Sequence, residues 1–140
     1  MPLCKTLNVM GFLLAILAAI TTGFGVAAAA SDEVPRISVE KTRELLGSPD
    51  VIIIDVRTAK TWWRSSTKIL DAVREEPGAV EKWAQKYPKD KTLILYCTWK
   101  NERTSARDAL HLIKKGYMNV FALKGGWYAW KEARYPVEKK

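Results

Sequence analysis

One cysteine stands where a nucleophile would be useful. In Tyr96-Cys97-Thr98-Trp99-Lys100-Asn101-Glu102-Arg103-Thr104-Ser105, Cys97 follows an apolar β-branched run and precedes a segment with helical period. A side chain at such a junction faces the unpaired N–H groups and the positive end of the following helix. Both favour thiolate over thiol, and thiolate is the nucleophilic form. Lys100 and Arg103 add positive charge, and a loop wrapped around the sulfur aims backbone N–H groups at an anion. A strand-end cysteine taken alone is more often an inert core residue. The polar and aromatic stretch from Thr98 to Thr104 is longer than a simple turn needs, and points to a reactive role.

The elements that must position this loop are legible from periodicity. Val34-Pro35-Arg36-Ile37 is a short extended segment, and Ser38 caps a helix through Glu40, Arg43, Leu45 and Leu46 that stops at Gly47. Val51–Ile54 reads as a buried strand running into Asp55-Val56-Arg57, and Thr92–Tyr96 as a second. Helices are predicted over Ala79–Tyr87 and Ser105–Lys115, then a third strand over Val120–Leu123 and a short helix over Trp127–Ala133. Residues 58–76 show no clear period, and the chain ends in a polar tail. Trp62 and Trp63 in that irregular stretch are read as core residues, with a roof over the site as the alternative. Alternating strands and helices predict an α/β domain: a central parallel sheet with helices on both faces. Ligands in such folds bind beyond the carboxyl ends of the strands, where Asp55, Arg57 and Cys97 all fall. Asp55 and Arg57 fit a structural ion pair at least as well as a catalytic one.

The N-terminus reads as an address. No charge occurs from Val9 to Ala30, Lys5 precedes the run, and Ala27-Ala28-Ala29-Ala30 fits a signal-peptidase site. Residues 1–30 are therefore expected to be a signal peptide and residues 31–140 the domain, exported to the periplasm. The alternative is a retained anchor facing the same side, since the run has about the ~20 residues a span needs. After cleavage no stable membrane association is expected, and Cys4 leaves with the signal, so Cys97 becomes the sole thiol. The formal charge of +8 is spread among acidic residues rather than blocked, which excludes an evident nucleic-acid partner and leaves a small anionic substrate. One remaining cysteine and one histidine, His111, do not make a zinc site, and no cofactor is expected. His111 falls mid-helix with no partner motif, as a surface or packing residue.

From about Ile37 to Val137 the chain resembles rhodanese domains. The resemblance is carried by Val51–Arg57, by Leu93–Cys97, by Thr104-Ser105-Ala106, and by Leu123-Lys124-Gly125-Gly126-Trp127 with Trp130 and Pro136-Val137. It implies a rhodanese-like three-layer domain and a persulfide mechanism. Cys97 would take sulfane sulfur from a donor such as thiosulfate and pass it to a thiophilic acceptor, cyanide or a protein thiol. Thr98, Trp99, Lys100, Asn101, Glu102 and Arg103 would form the substrate-binding loop, with Asp55 and Arg57 supporting. The loop is one residue longer than the usual rhodanese loop. Its Cys97-(five residues)-Arg103 spacing is similar to that of cysteine-dependent phosphatases, so phosphatase or arsenate reductase chemistry is the alternative activity. Tyr96, where those phosphatases carry histidine, and the bulk of Trp99 weigh against it. A non-enzymatic sulfur carrier or redox-sensing module is a third reading.

Overall fold

A computed structural model describes residues 33–140. The proposed signal segment lies outside the described residues, and so does the expected new N-terminus at Ser31. Five strands form a parallel sheet in the order β1-β6-β5-β2-β4. These are β1 (Arg36–Ile37), β2 (Val51–Asp55), β4 (Val73–Arg74), β5 (Thr92–Tyr96) and β6 (Asn119–Leu123). Two short strands, β3 (Thr67–Ile69) and β7 (Val137–Lys139), pair antiparallel beside the sheet. The helices are α1 (Val39–Glu44), α2 (Ala59–Arg64), α3 (Val80–Trp83, continued by a 3-10 turn over Ala84–Lys86), α4 (Arg103–Lys114) and α5 (Gly126–Glu132).

Strand alternation decides which face each residue serves. Leu93, Leu95 and Cys97 point into one core with Val56, Val80, Trp83, Ala109 and Leu112, beneath α3 and α4. Ile94 and Tyr96 point into the opposite core with Ile69, Trp127 and Trp130, beneath α5. Each fully buried leucine here contributes about 1.5–3 kcal/mol. The three-layer α/β architecture expected from the sequence is therefore the one observed. Ser38 caps α1 as expected, its hydroxyl accepting from the Lys41 N–H at 3.1 Å.

Three readings need correction. Residues 58–76 are ordered into α2, β3 and β4, and the polar tail supplies β7. Helix α4 begins at Arg103 rather than Ser105, so the loop after Cys97 is shorter than expected. Trp63 is 79% exposed, so it is no core residue. Trp62 is half-buried on the surface among cations, with the Lys140 ammonium 4.3 Å and the Arg57 and Arg74 guanidinium carbons each 5.1 Å from its ring centre. Among the described residues no helix is long and apolar enough to cross a membrane.

Candidate active site

Cys97 follows β5 directly, and its side chain takes the α4 face by the alternation just described. It is a free cysteine, 3% exposed. Its sulfur lies 3.4 Å from the Ser105 hydroxyl, and that hydroxyl also lies 3.1 Å from the Glu102 carbonyl oxygen, to which it donates. Ser105 sits in the first turn of α4, fully buried. The helix therefore points its positive end at the sulfur, as expected. Among the described residues Ser105 is the sulfur's hydrogen-bonding partner, and no backbone N–H contacts it. The N–H groups of Trp99, Lys100 and Asn101 donate to no acceptor among the described residues. Successive free amides in a tight loop are the donors from which an anion-binding concavity is built.

The Gly125-Gly126-Trp127 turn holds the loop at both ends. The Trp127 N–H donates to the Cys97 carbonyl at 2.8 Å. Gly126 lies so close that a Cβ there would sit 2.5 Å from the Cys97 oxygen and 3.0 Å from the Trp99 oxygen. At the far end Glu102 adopts a left-handed backbone, φ 50°. Its buried carboxylate accepts from the Gly125 N–H at 2.7 Å and from the Arg36 guanidinium at 3.0 Å. Glu102 was expected to contact substrate; instead its carboxylate is turned inward and ties the loop to β1 and to the glycine turn. This role has a sequence signal only in retrospect, because its partners lie 66 and 23 residues away.

The other loop residues separate. Thr98 is buried and donates to the Thr61 hydroxyl at 2.9 Å, joining the loop to α2. Thr98 and Trp99 border a cleft of about 360 Å³ that Arg64, Trp127, Tyr128 and Lys131 also line. Trp99, Lys100 and Asn101 line a wider depression of about 500 Å³ with Tyr128 and Glu132. Trp99 and Tyr128 form the ridge between them, ring centres 5.8 Å apart. Lys100 does not face the sulfur; it pairs with Glu132 at 3.5 Å, both exposed. Arg103 is exposed too and borders a separate depression with Thr104 and Arg107. The sequence pointed to Cys97 and its loop, but missed Ser105 as the sulfur's partner and the α2–β3 and α5 residues that complete the cleft.

Asp55 and Arg57 form a fully buried ion pair, 2.6 Å at its shortest. The Asp55 carboxylate also accepts from the Tyr96 hydroxyl and from the Arg57 N–H. Burial, and then the Asp55 charge, push the Tyr96 hydroxyl well above the ordinary tyrosine range, so it stays a donor. The Arg57 guanidinium packs on Trp127 at 4.5 Å and on Trp62 and Tyr96 at 5.1 and 5.6 Å. Its one terminal nitrogen without a hydrogen-bond partner lies within this aromatic cage. The pair touches no solvent, and its guanidinium lies against the ring of Trp127, whose backbone N–H donates to Cys97. His111 is an exposed residue of α4, as expected.

Comparison with known proteins agrees with this geometry. The rhodanese-like domain family matches residues 38–133. A Pseudomonas savastanoi protein named thiosulfate sulfurtransferase GlpE is 31% identical over 106 residues, covering 76% of this chain and 94% of that one. A Coxiella burnetii protein of the same name is 29% identical over 102 residues, covering 73% and 91%. Among solved structures, a rhodanese-like domain from Anabaena sp. superposes with TM-score 0.64 at 24% identity, covering 76% of this chain and 80% of that one. A Rhodopseudomonas palustris protein of unknown function, described as a possible tyrosine phosphatase, gives TM-score 0.65 at 25% identity over 75% and 85%. With the glycine turn, the cysteine loop and the three-layer sheet in place, the chain belongs to the rhodanese-like domain family.

Proposed function

We propose that this protein is a thiosulfate-type sulfurtransferase that works through a persulfide on Cys97. The observation that carries the reading is a lone thiol among the described residues, at the end of β5, in a loop whose Trp99, Lys100 and Asn101 amides are left for an anion. Relatives named thiosulfate sulfurtransferases, one at 31% identity, support it.

The chemistry follows from the parts. The Cys97 thiolate attacks the outer sulfur of thiosulfate, a new S–S bond forms, and the donor's S–S bond breaks with its electron pair leaving on sulfite. The persulfide anion sits at the N-terminus of α4 facing the free amides, which stabilise its charge without moving. Ser105 is oriented to help: its hydroxyl can turn from the Glu102 carbonyl to the sulfur when the sulfur is anionic. In the second half-reaction an acceptor such as cyanide or a protein thiol takes the outer sulfur, and Cys97 leaves as thiolate. Two half-reactions on one nucleophile give ping-pong kinetics. Thiocyanate formation from thiosulfate and cyanide should therefore give parallel double-reciprocal lines, and Cys97→Ser should reduce it to background. Intersecting lines, or turnover that survives in Cys97→Ser, would overturn the mechanism.

The phosphatase reading asks Arg103 to grip the oxygens of a tetrahedral anion. The exposed Arg103 borders a depression with Thr104 and Arg107, apart from the cleft that Thr98 lines, which favours the sulfurtransferase reading. A carrier that holds persulfide without turnover would form the adduct but release thiocyanate slowly. The site is proposed to work in the periplasm, supported by the uncharged run from Val9 and by Ala27–Ala30. N-terminal sequencing of the exported protein should begin near Ser31; a chain starting at Met1 would mean an anchor instead.

A further inference from the structure

The cleft beside Thr98 is larger than thiosulfate needs. Its volume of about 360 Å³ lies within the roughly 300–1,000 Å³ typical of sites for organic ligands. Two walls carry cations, Arg64 at the end of α2 and Lys131 on α5, and no acidic residue lines it. Arg64 has no carboxylate partner among the described residues, and Lys131 rests over the Trp127 ring at 5.8 Å. The third wall is aromatic, from Trp99, Trp127 and Tyr128. Serine and threonine hydroxyls line the remainder, and the bond from Thr98 to Thr61 fixes the cleft against the cysteine loop.

From this we infer that the cleft is the acceptor site, and that it selects a small organic thiol carrying two carboxylates. The inference rests on the sulfurtransferase reading and adds the class of the second substrate. Thr98 and Trp99, the two residues that follow Cys97, line the cleft, so a molecule seated there lies against the loop that carries the sulfur. Arg64 and Lys131, coming from separate elements, bind two carboxylates, and the aromatic wall covers the carbon chain between them. The acceptor's sulfur bonds to the outer sulfur of the Cys97 persulfide, whose S–S bond breaks with its electron pair staying on Cys97. The thiol proton goes to solvent, and the acceptor leaves as a hydropersulfide anion.

The test uses the full protein loaded with thiosulfate, desalted, and discharged by thiols of different charge. Mercaptosuccinate supplies two carboxylates, 2-mercaptoethanol none, and cysteamine a cation. Discharge rates are compared per thiolate, at low salt. Mercaptosuccinate should be preferred over 2-mercaptoethanol by about tenfold or more, with cysteamine slowest. The preference should fall to about threefold or less in Arg64→Glu and in Lys131→Glu, and should shrink in high salt. Lys91→Glu, at the opposite end of β5, makes the same change in net charge and should keep the preference. Absence of the preference in wild type, its survival in both cleft variants, or its equal loss in Lys91→Glu would overturn the inference. Failure of thiosulfate to load the wild type at all would instead overturn the sulfurtransferase reading beneath it.

Discussion

Asp55→Ala is expected to cost about 3–5 kcal/mol of folding stability, because it leaves the Arg57 charge buried without a counterion. Both side chains are fully buried, so water cannot replace the lost carboxylate without opening the core. The same carboxylate accepts the Tyr96 hydroxyl and the Arg57 N–H, and these donors are orphaned with it. Against a total of about 5–15 kcal/mol for a domain, this is a large fraction. At roughly 4–8 °C per kcal/mol for a domain of similar size, the midpoint of thermal unfolding should fall by more than about 12 °C. Should the single variant fail to fold, the double variant Asp55→Ala with Arg57→Met keeps the prediction testable. It removes both charges and should be more stable than Asp55→Ala alone, since an apolar replacement of a buried pair is often tolerated. A single variant within about 0.5 kcal/mol of wild type would mean that the pair holds nothing.

Gly126→Ala should damage the site more than its size suggests. The added Cβ meets two backbone oxygens, Cys97 at 2.5 Å and Trp99 at 3.0 Å, and backbone cannot rotate away as a side chain can. Forcing such a contact costs about 1–3 kcal/mol. The residue's φ of 58° adds about 1–2 kcal/mol of left-handed strain for any side chain. Relief comes by moving the turn off the loop, which lengthens the Trp127-to-Cys97 bond. Persulfide formation should slow by about tenfold or more, the usual consequence of a sub-ångström to ångström misplacement. Gly47→Ala is the matched control: its φ is 79° but nothing lies within 4 Å of the added Cβ. It should lose stability through strain alone and keep full activity. Equal activity in Gly126→Ala and Gly47→Ala would show that the turn does not position the loop.

The core of the fold was readable because its signals are local. Val51–Ile54 and Leu93–Tyr96 are continuous apolar runs, and the face each residue takes follows from alternation alone. The missed elements are held by distant contacts. Strands β3 and β7 span three residues each and exist because Ile69 meets Val137 and Lys68 pairs with Glu138, neither visible in a window of either segment. The site divides in the same way. Cys97 at a strand-to-helix junction could be read from type and spacing, and the glycine turn beside it from the resemblance to rhodanese domains. Glu102 could not, since a glutamate beside an arginine in a polar loop looks solvent-facing until Arg36 and the Gly125 N–H are brought to it. For Lys100 and Arg103 spacing fixes where the backbone goes, while their long side chains follow Glu132 and the solvent.

Intact-mass measurement of the protein after incubation with thiosulfate and desalting tests the central claim most directly. The wild type should gain the mass of one sulfur atom, mapped to the Cys97 peptide and removed by cyanide as thiocyanate. Cys97→Ser should gain nothing. No gain in the wild type at saturating thiosulfate, or a gain that persists in Cys97→Ser, would contradict the account.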